Sequence, residues 1–181
     1  MSKAKIKVAF LDRDGVINKE VNYLYKIEDF EYTEDCIEGL KSLQKLGFKI
    51  IIVTNQAGIA RGYYTEEQYQ ELTQWYLTDL AKHGITVLDI FHCPHHPKGS
   101  IPQYAIECDC RKPKSGMFQQ AFDKYDIDLM KSIMIGDKES DLIAAERSEI
   151  RGLYLVRTGH ELINSTYAAF DTLLDVVIYR L

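Results

Sequence analysis

What this sequence lacks narrows it first. No apolar run approaches the length needed to cross a bilayer. Met1 to Lys5 lead straight into an apolar segment with no signal-type hydrophobic stretch. A cytoplasmic location without a membrane partner is expected. There is no excess of positive charge either: 22 Lys and Arg stand against 27 Asp and Glu, a net charge of −5. That argues against a general nucleic-acid binder, and an acidic chain that handles anions must gather its cations locally. No repeat, low-complexity tract or linker interrupts the 181 residues, so one domain spanning 1–181 is expected, as a monomer. Cysteine is scarce, with four in all. Three of them, Cys93, Cys108 and Cys110, cluster with His92, His95 and His96. In a reducing compartment that pattern favours a metal over disulfides.

What is present is an alternation of strand-like and helical segments. Strands are predicted at Ile6–Leu11, Phe48–Thr54, Thr86–Phe91, Ser132–Ile135 and Leu153–Val156. Glu34 to Leu46 carries Ile37, Leu40, Leu43 and Leu46 on one helical stripe and stops at Gly47. Thr65, followed by Glu66, Glu67 and Gln68, reads as a capped helix start, with Tyr69, Leu72, Tyr76 and Leu80 on one core-facing side. Ser115–Tyr125 and Lys138–Arg147 complete the helices. The alternation predicts an α/β fold of three layers, a mostly parallel central sheet covered by helices on both faces. Two stretches resist this pattern. Asn18 to Asp29 is polar and aromatic, and could gate whatever precedes it. His92 to Pro113 is long for a structureless connection and needs a function or a staple.

The chemistry starts where the first strand ends, in Asp12-Arg13-Asp14-Gly15. Residues i and i+2 of an extended chain point to the same side, so both carboxylates are expected at the strand's carboxyl end. Held that close they repel unless a cation or proton intervenes. Three further features suit a phosphate site: Thr54-Asn55-Gln56 closing the second strand, the basic pair Arg111-Lys112, and Asp137 at another strand end. In this order and spacing they resemble the four-part signature of the haloacid dehalogenase (HAD) superfamily of phosphotransferases. The resemblance implies Mg²⁺ held by Asp12, the Asp14 carbonyl and Asp137, with Asp141 orienting the metal's surroundings. Asp12 would attack phosphorus to give an aspartyl-phosphate, and Asp14 would act as acid and then base. Thr54, the neighbouring amides and Lys112 would bind the phosphoryl oxygens.

In the irregular loop, Cys93-Pro94-His95 and Cys108-Asp109-Cys110 form two short pairs able to close tetrahedrally on one Zn²⁺, with His92 and His96 as competing ligands. Four protein ligands leave no open position, so this zinc would be structural, a staple that fixes the adjoining Arg111 and Lys112. Cys36 reads as a lone buried cysteine.

FLDRDGVINKE, VTNQAGIARGYYTEEQ, FHCPHHPKG, CDCRKPKSGM, MIGDKESD and LVRTG narrow the resemblance further. From about Val8 to Gly159 the chain resembles the D-glycero-D-manno-heptose-1,7-bisphosphate 7-phosphatases, in the branch that contains histidinol-phosphate phosphatases. The resemblance implies a Rossmann-like HAD fold without a large cap domain, and zinc ligation by Cys93, His95, Cys108 and Cys110. It implies substrate contacts from Glu20, Val21, Asn22 and Tyr23, from Thr54, Asn55, Gln56 and Ala57, and from Arg111, Lys112 and Lys138. The activity implied is removal of the 7-phosphate of a heptose bisphosphate, feeding nucleotide-activated heptose synthesis for a lipopolysaccharide or other surface glycan. Two departures stand out. The family commonly has Gly before the Tyr of the substrate loop, where this chain has Asn22, a residue that tolerates left-handed backbone. Glu146 to Ile150 is also more polar than the family's alanine-rich helix end. The rival readings are a histidinol-phosphate phosphatase and a zinc-stapled binding module without catalysis. The roughly twelve residues between His95 and Cys108 resemble the heptose branch, and the intact acids and Lys112 argue against a silent module.

Overall fold

The computed structural model describes residues 4–181, so the first three residues of the expected lead-in lie outside it. The strands, in chain order, are β1 (Val8–Leu11), β2 (Lys49–Asn55), β3 (Val87–Cys93), β4 (Ile133–Gly136), β5 (Gly152–Val156) and β6 (Ala169–Phe170). The helices are α1 (Cys36–Lys45), α2 (Ala57–Ala60), α3 (Glu66–Lys82), α4 (Gly116–Lys124), α5 (Glu139–Glu146) and α6 (Leu173–Arg180). They build one sheet in the order β3-β2-β1-β4-β5-β6. Every pairing in it is parallel, where the sequence predicted a mostly parallel sheet.

β1 is buried throughout because both faces of the sheet are covered. Its side chains alternate: Ala9 and Leu11 pack with Leu40, Leu43, Leu72, Tyr76, Leu173 and Val176 of α1, α3 and α6. Val8 and Phe10 pack with Met117, Phe118, Ala121, Leu142 and Ala145 of α4 and α5. Ile50 and Ile52 against Ile51 and Val53 of β2 divide in the same way. The stripe predicted on α3 is the one that is buried, and the Thr65 capping box is formed. The polar stretch after α5 does not loosen the packing: Ser148 and Ile150 are buried, and Ser148 Oγ donates to the Ala144 carbonyl at 2.8 Å.

Three elements went unpredicted, α2, β6 and α6. α6 opens on a capping box of its own, Thr172 with Asp175, a signal present in the sequence. Predicted strand starts ran early for β1 to β4 and late for β5, and Ile6 makes only an isolated bridge to Ile127 before β1 begins. No helix among the described residues is long and apolar enough to cross a membrane. The strand order reverses between β1 and β4, which are direct neighbours. In open parallel sheets the crevice outside the strand ends at such a reversal is where ligands bind.

Candidate active site

Asp12 follows β1 directly, its backbone N–H still donating to Ile135 of β4 at 3.1 Å. One carboxylate oxygen, Oδ1, accepts from the Arg13 amide at 2.8 Å and lies 3.1 Å from Lys112 Nζ. Lys112 is only 3% exposed. Its ammonium also reaches Asp141 Oδ1 at 2.7 Å and donates to the Val53 carbonyl at 2.7 Å. Asn55 holds the Lys112 backbone from both sides, accepting from its N–H at 3.0 Å and donating to its carbonyl at 3.1 Å. Burial works against the Lys112 charge, but Asp12 and Asp141 outweigh it and hold the ammonium above its ordinary pKa. One lysine shared between two acids leaves negative charge over. Burial, then Asp141, pushes the Asp12 carboxyl up to about 7 against the pull of Lys112, with Asp14 adding to the rise.

Asp14 is held differently. Its Oδ1 accepts from Arg13 Nη2 at 2.8 Å and Asn18 Nδ2 at 3.0 Å, and its Oδ2 from Gln56 Nε2 at 3.0 Å. Burial raises this carboxyl, but the Arg13 guanidinium and these three hydrogen bonds prevail and keep it below the usual range. The two acids, expected on one side of the strand end, do line one cavity of about 550 Å³. Their environments push their pKa values in opposite directions.

Asp137, at the end of β4, is fully buried. Its Oδ2 accepts from His160 twice, from the backbone N–H at 3.0 Å and from Nδ1 at 2.6 Å. Its Oδ1 is buried with no hydrogen-bond partner. Asp12, Asp137 and Asp141 can each bring a carboxylate oxygen within 4.8 Å of the others, a grouping that could hold a metal ion. Gly15 at φ +83° and Gly159 make room for it: a Cβ on either would fall 2.3 Å or 2.2 Å from Asp137 Oδ2. Burial, then the Asp12 charge, raises the Asp137 carboxyl. An orphaned buried oxygen beside acids that resist ionising together is the electrostatic signature of a site for a hard cation.

Of the predicted substrate contacts, Glu20, Asn22, Tyr23, Asn55, Gln56, Ala57, Arg111, Lys112 and Lys138 line the cavity, and Val21 and Thr54 do not. Val21 faces solvent at 45% exposure. Thr54 lies beneath the cavity floor, its hydroxyl accepting from Gln56 Nε2 at 2.8 Å. The Gln56 carbonyl in turn accepts from Tyr64. Asn22 takes the left-handed backbone that its identity allows (φ 54°), and Tyr23 follows at φ 68°. The Asn22 amide is tied to Glu20 Oε1 at 2.8 Å, and the Tyr23 ring meets Tyr63 edge to face. A bulky residue at positive φ is strain held by its surroundings, of a kind that concentrates at functional sites. Sequence reasoning missed Arg61, Tyr64, Ser140 and His160, all of which line the cavity.

Cys93, His95, Cys108 and Cys110 offer four donor atoms within 4.8 Å of one another. The Sγ atoms of Cys93 and Cys108 are 3.6 Å apart, His95 Nδ1 is 3.8 Å from Cys93 and 3.3 Å from Cys110, and Cys110 is 2.9 Å from Cys93. A tetrahedron with zinc–sulfur bonds of about 2.3 Å sets its sulfur corners roughly 3.7 Å apart, so the set is slightly contracted but correctly arranged. The Cys110–Cys93 contact draws Cys110 down and pushes Cys93 up, as in a pair of thiols with one proton between them. The competing histidines turn elsewhere, His92 to Glu66 at 2.7 Å and His96 towards Arg61 at 3.3 Å. All four cysteines are free thiols, and Cys36 is buried.

An aspartate after the central strand, a buried lysine from a later loop and an acid at the neighbouring strand end define a phosphotransfer hydrolase of the HAD type. A HAD-hydrolase-like family model matches residues 109–171. The chain is 63% identical over 160 residues to the D-glycero-α-D-manno-heptose-1,7-bisphosphate 7-phosphatase of Photorhabdus laumondii, covering 88% of this chain and 87% of that one. It is 44% identical to the D-glycero-β-D-manno-heptose-1,7-bisphosphate 7-phosphatase of Vibrio cholerae, over 93% of this chain and 90% of that one. Among solved structures, the D,D-heptose 1,7-bisphosphate phosphatase from B. bronchiseptica, complexed with magnesium and phosphate, superposes with a TM-score of 0.79 at 27% identity, covering 96% of this chain and 97% of that one. The chain belongs to the heptose-1,7-bisphosphate 7-phosphatase family of the HAD superfamily.

Proposed function

We propose that this chain hydrolyses the 7-phosphate of D-glycero-α-D-manno-heptose 1,7-bisphosphate, releasing inorganic phosphate and the 1-phosphate. The carrying observation is the group at the β1–β4 reversal: Asp12 paired to Lys112, facing Asp137 with an unpartnered Oδ1. The sugar is that of the relatives' names. The α anomer is favoured because the relative at 63% identity is named for it, while those at 41–44% are named for β.

In this reading Asp12, Asp137 and the Asp14 carbonyl hold magnesium, which screens the charge of the phosphate and polarises it. An Asp12 carboxylate oxygen forms a bond to phosphorus as the bond from phosphorus to the sugar oxygen breaks. The leaving oxygen takes its proton from Asp14. That carboxyl is ionised in the free protein, and an arriving phosphate dianion opposes its charge and favours proton uptake. Asp14 then takes a proton from water as the water oxygen bonds to phosphorus and Asp12 departs, restoring both carboxyl groups. Lys112 screens the nucleophile, and Asp141 positions Lys112. Asn55, Gln56 and Ala57 line the phosphate side, with Thr54 supporting Gln56 from below. Cys93, His95, Cys108 and Cys110 hold a structural zinc, and the chain acts as one domain.

The test is phosphate release from the α- and β-heptose 1,7-bisphosphates and from histidinol phosphate, with Asp12→Asn as control. The α-bisphosphate is expected to give the largest kcat/KM and Asp12→Asn to give none. A preference for histidinol phosphate, or no release from any of the three by folded, magnesium-loaded protein, would overturn the reading.

A further inference from the structure

Two guanidiniums in the cavity wall have no acid to balance them. Arg61 follows α2, Arg111 adjoins Cys110, and both line the cavity. Among the described residues neither forms an ion pair. Arg61 Nε and Arg111 Nη1 are buried without a hydrogen-bond partner. Arg61 Nη2 does approach His96 Nε2 at 3.3 Å, but the other ring nitrogen of His96 faces the Lys98 N–H at 3.1 Å. A neutral imidazole accepts at only one nitrogen, so one of these two donors goes without an acceptor. Protonated His96 would accept at neither, and burial followed by Arg111, Arg61 and Lys98 disfavours that form. Buried cationic donors left in this state call for an anion.

The same loop that carries the Cys/His cluster sets Arg61 in place. The Ser100 and Ile101 amides both donate to the Ala60 carbonyl, at 2.8 and 2.9 Å, and Ser100 Oγ donates to the Arg61 carbonyl at 2.9 Å. Gly99 lies so close that a Cβ there would come within 2.6 Å of the Ala60 carbonyl oxygen. The segment from His95 to Cys108 therefore grips the Arg61 backbone midway, while its far end leads into Arg111.

We propose that Arg61 acts with Arg111 as the receptor for the phosphate that is not removed, and that Arg61 determines the preference for a bisphosphate. The inference rests on the bisphosphatase reading above. Lys112 cannot serve this second anion, because its ammonium is committed to Asp12, Asp141 and the Val53 carbonyl. A planar guanidinium fork matches two oxygens of a phosphate, and a dianion needs more than one cation to offset it.

The experiment compares kcat/KM for the heptose 1,7-bisphosphate with kcat/KM for the same heptose carrying only the 7-phosphate, in wild type and Arg61→Ala. The expected result is a fall in the bisphosphate-to-monophosphate ratio of roughly 10–100-fold, the worth of one charge-assisted contact. If Arg61→Ala fails to fold, Arg61→Gln, which keeps much of the stem's packing, gives the same ratio. An unaltered ratio in the folded variant would overturn the receptor and leave the phosphatase reading standing. Wild-type protein that hydrolyses neither heptose phosphate would instead overturn the phosphatase reading, and the receptor with it.

Discussion

Replacing Lys112 with Met keeps the stem's bulk and removes one charge from a site with two dependent acids. The ammonium makes three contacts, to Asp12, Asp141 and the Val53 carbonyl, at 3.1, 2.7 and 2.7 Å. Removing one partner of a buried pair typically costs about 3–5 kcal/mol, because an uncompensated charge remains. For a chain of this size each kcal/mol lowers the midpoint by roughly 2–4 °C, so the melting temperature at pH 8 should fall by about 6–20 °C. The loss must depend on pH. Lys112 is what pulls the raised Asp12 carboxyl down, so without it Asp12 titrates even higher in the folded state. A carboxyl raised on folding contributes stability that is full below its unfolded pKa and is lost as pH rises through its folded value. At pH 5 one acid stays protonated and can donate to the other, so the deficit relative to wild type should shrink to about half or less. Urea unfolding of metal-free wild type and Lys112→Met at pH 5 and pH 8 measures both numbers. Equal losses at the two pH values, or a loss below about 1 kcal/mol at pH 8, would refute the claim that Lys112 balances these acids.

Other consequences are as specific. Asp12 and Asp137 are both raised, so the metal-free protein loses stability as pH climbs above the ordinary carboxylate range towards 7, and a cation must displace protons to bind. Asp14, lowered instead, contributes stability above its unfolded pKa that is lost only as pH falls into the acid range. Thermal stabilisation by Mg²⁺ should therefore be larger at pH 8 than at pH 6, as scanning fluorimetry over a Mg²⁺ series can check. Gly15→Ala places a Cβ 2.3 Å from Asp137 Oδ2 at a backbone angle that suits glycine, and should weaken Mg²⁺ binding at least tenfold by calorimetry. Cys108→Ser should lower the metal content measured by mass spectrometry and reduce stability by about 2 kcal/mol or more, with KM for the bisphosphate rising as Arg111 loses its anchor.

The sequence made some of this legible and hid the rest for physical reasons. Asp12 could be found because a short apolar run ending in an acid is a local pattern, and its partners Lys112 and Asp137 close equally recognisable segments. The Cys/His cluster was legible because two of its ligands sit within each tripeptide. His160 was not: it reaches Asp137 from 23 positions away, out of a loop with no periodicity. Arg61 lay inside a stretch that was read, but its meaning comes from a loop about 40 residues further on. Thr54 was placed correctly at a strand end, yet spacing cannot say whether a hydroxyl meets ligand or neighbour, and Gln56 occupies it. β6 holds two residues, too few for any period to register.

The position of β1 has a consequence for how the chain is made. β1 leaves the ribosome well before its neighbour β4, which begins about 120 residues later, roughly 6–25 s at ordinary synthesis rates. Until then β2 can cover one edge of β1, and the other presents bare amides and carbonyls beside two acids that still lack Asp137. A nascent chain in that state is a template for pairing with another copy of itself. The charges crowded at the tip of β1 therefore discourage such pairing before they do any chemistry.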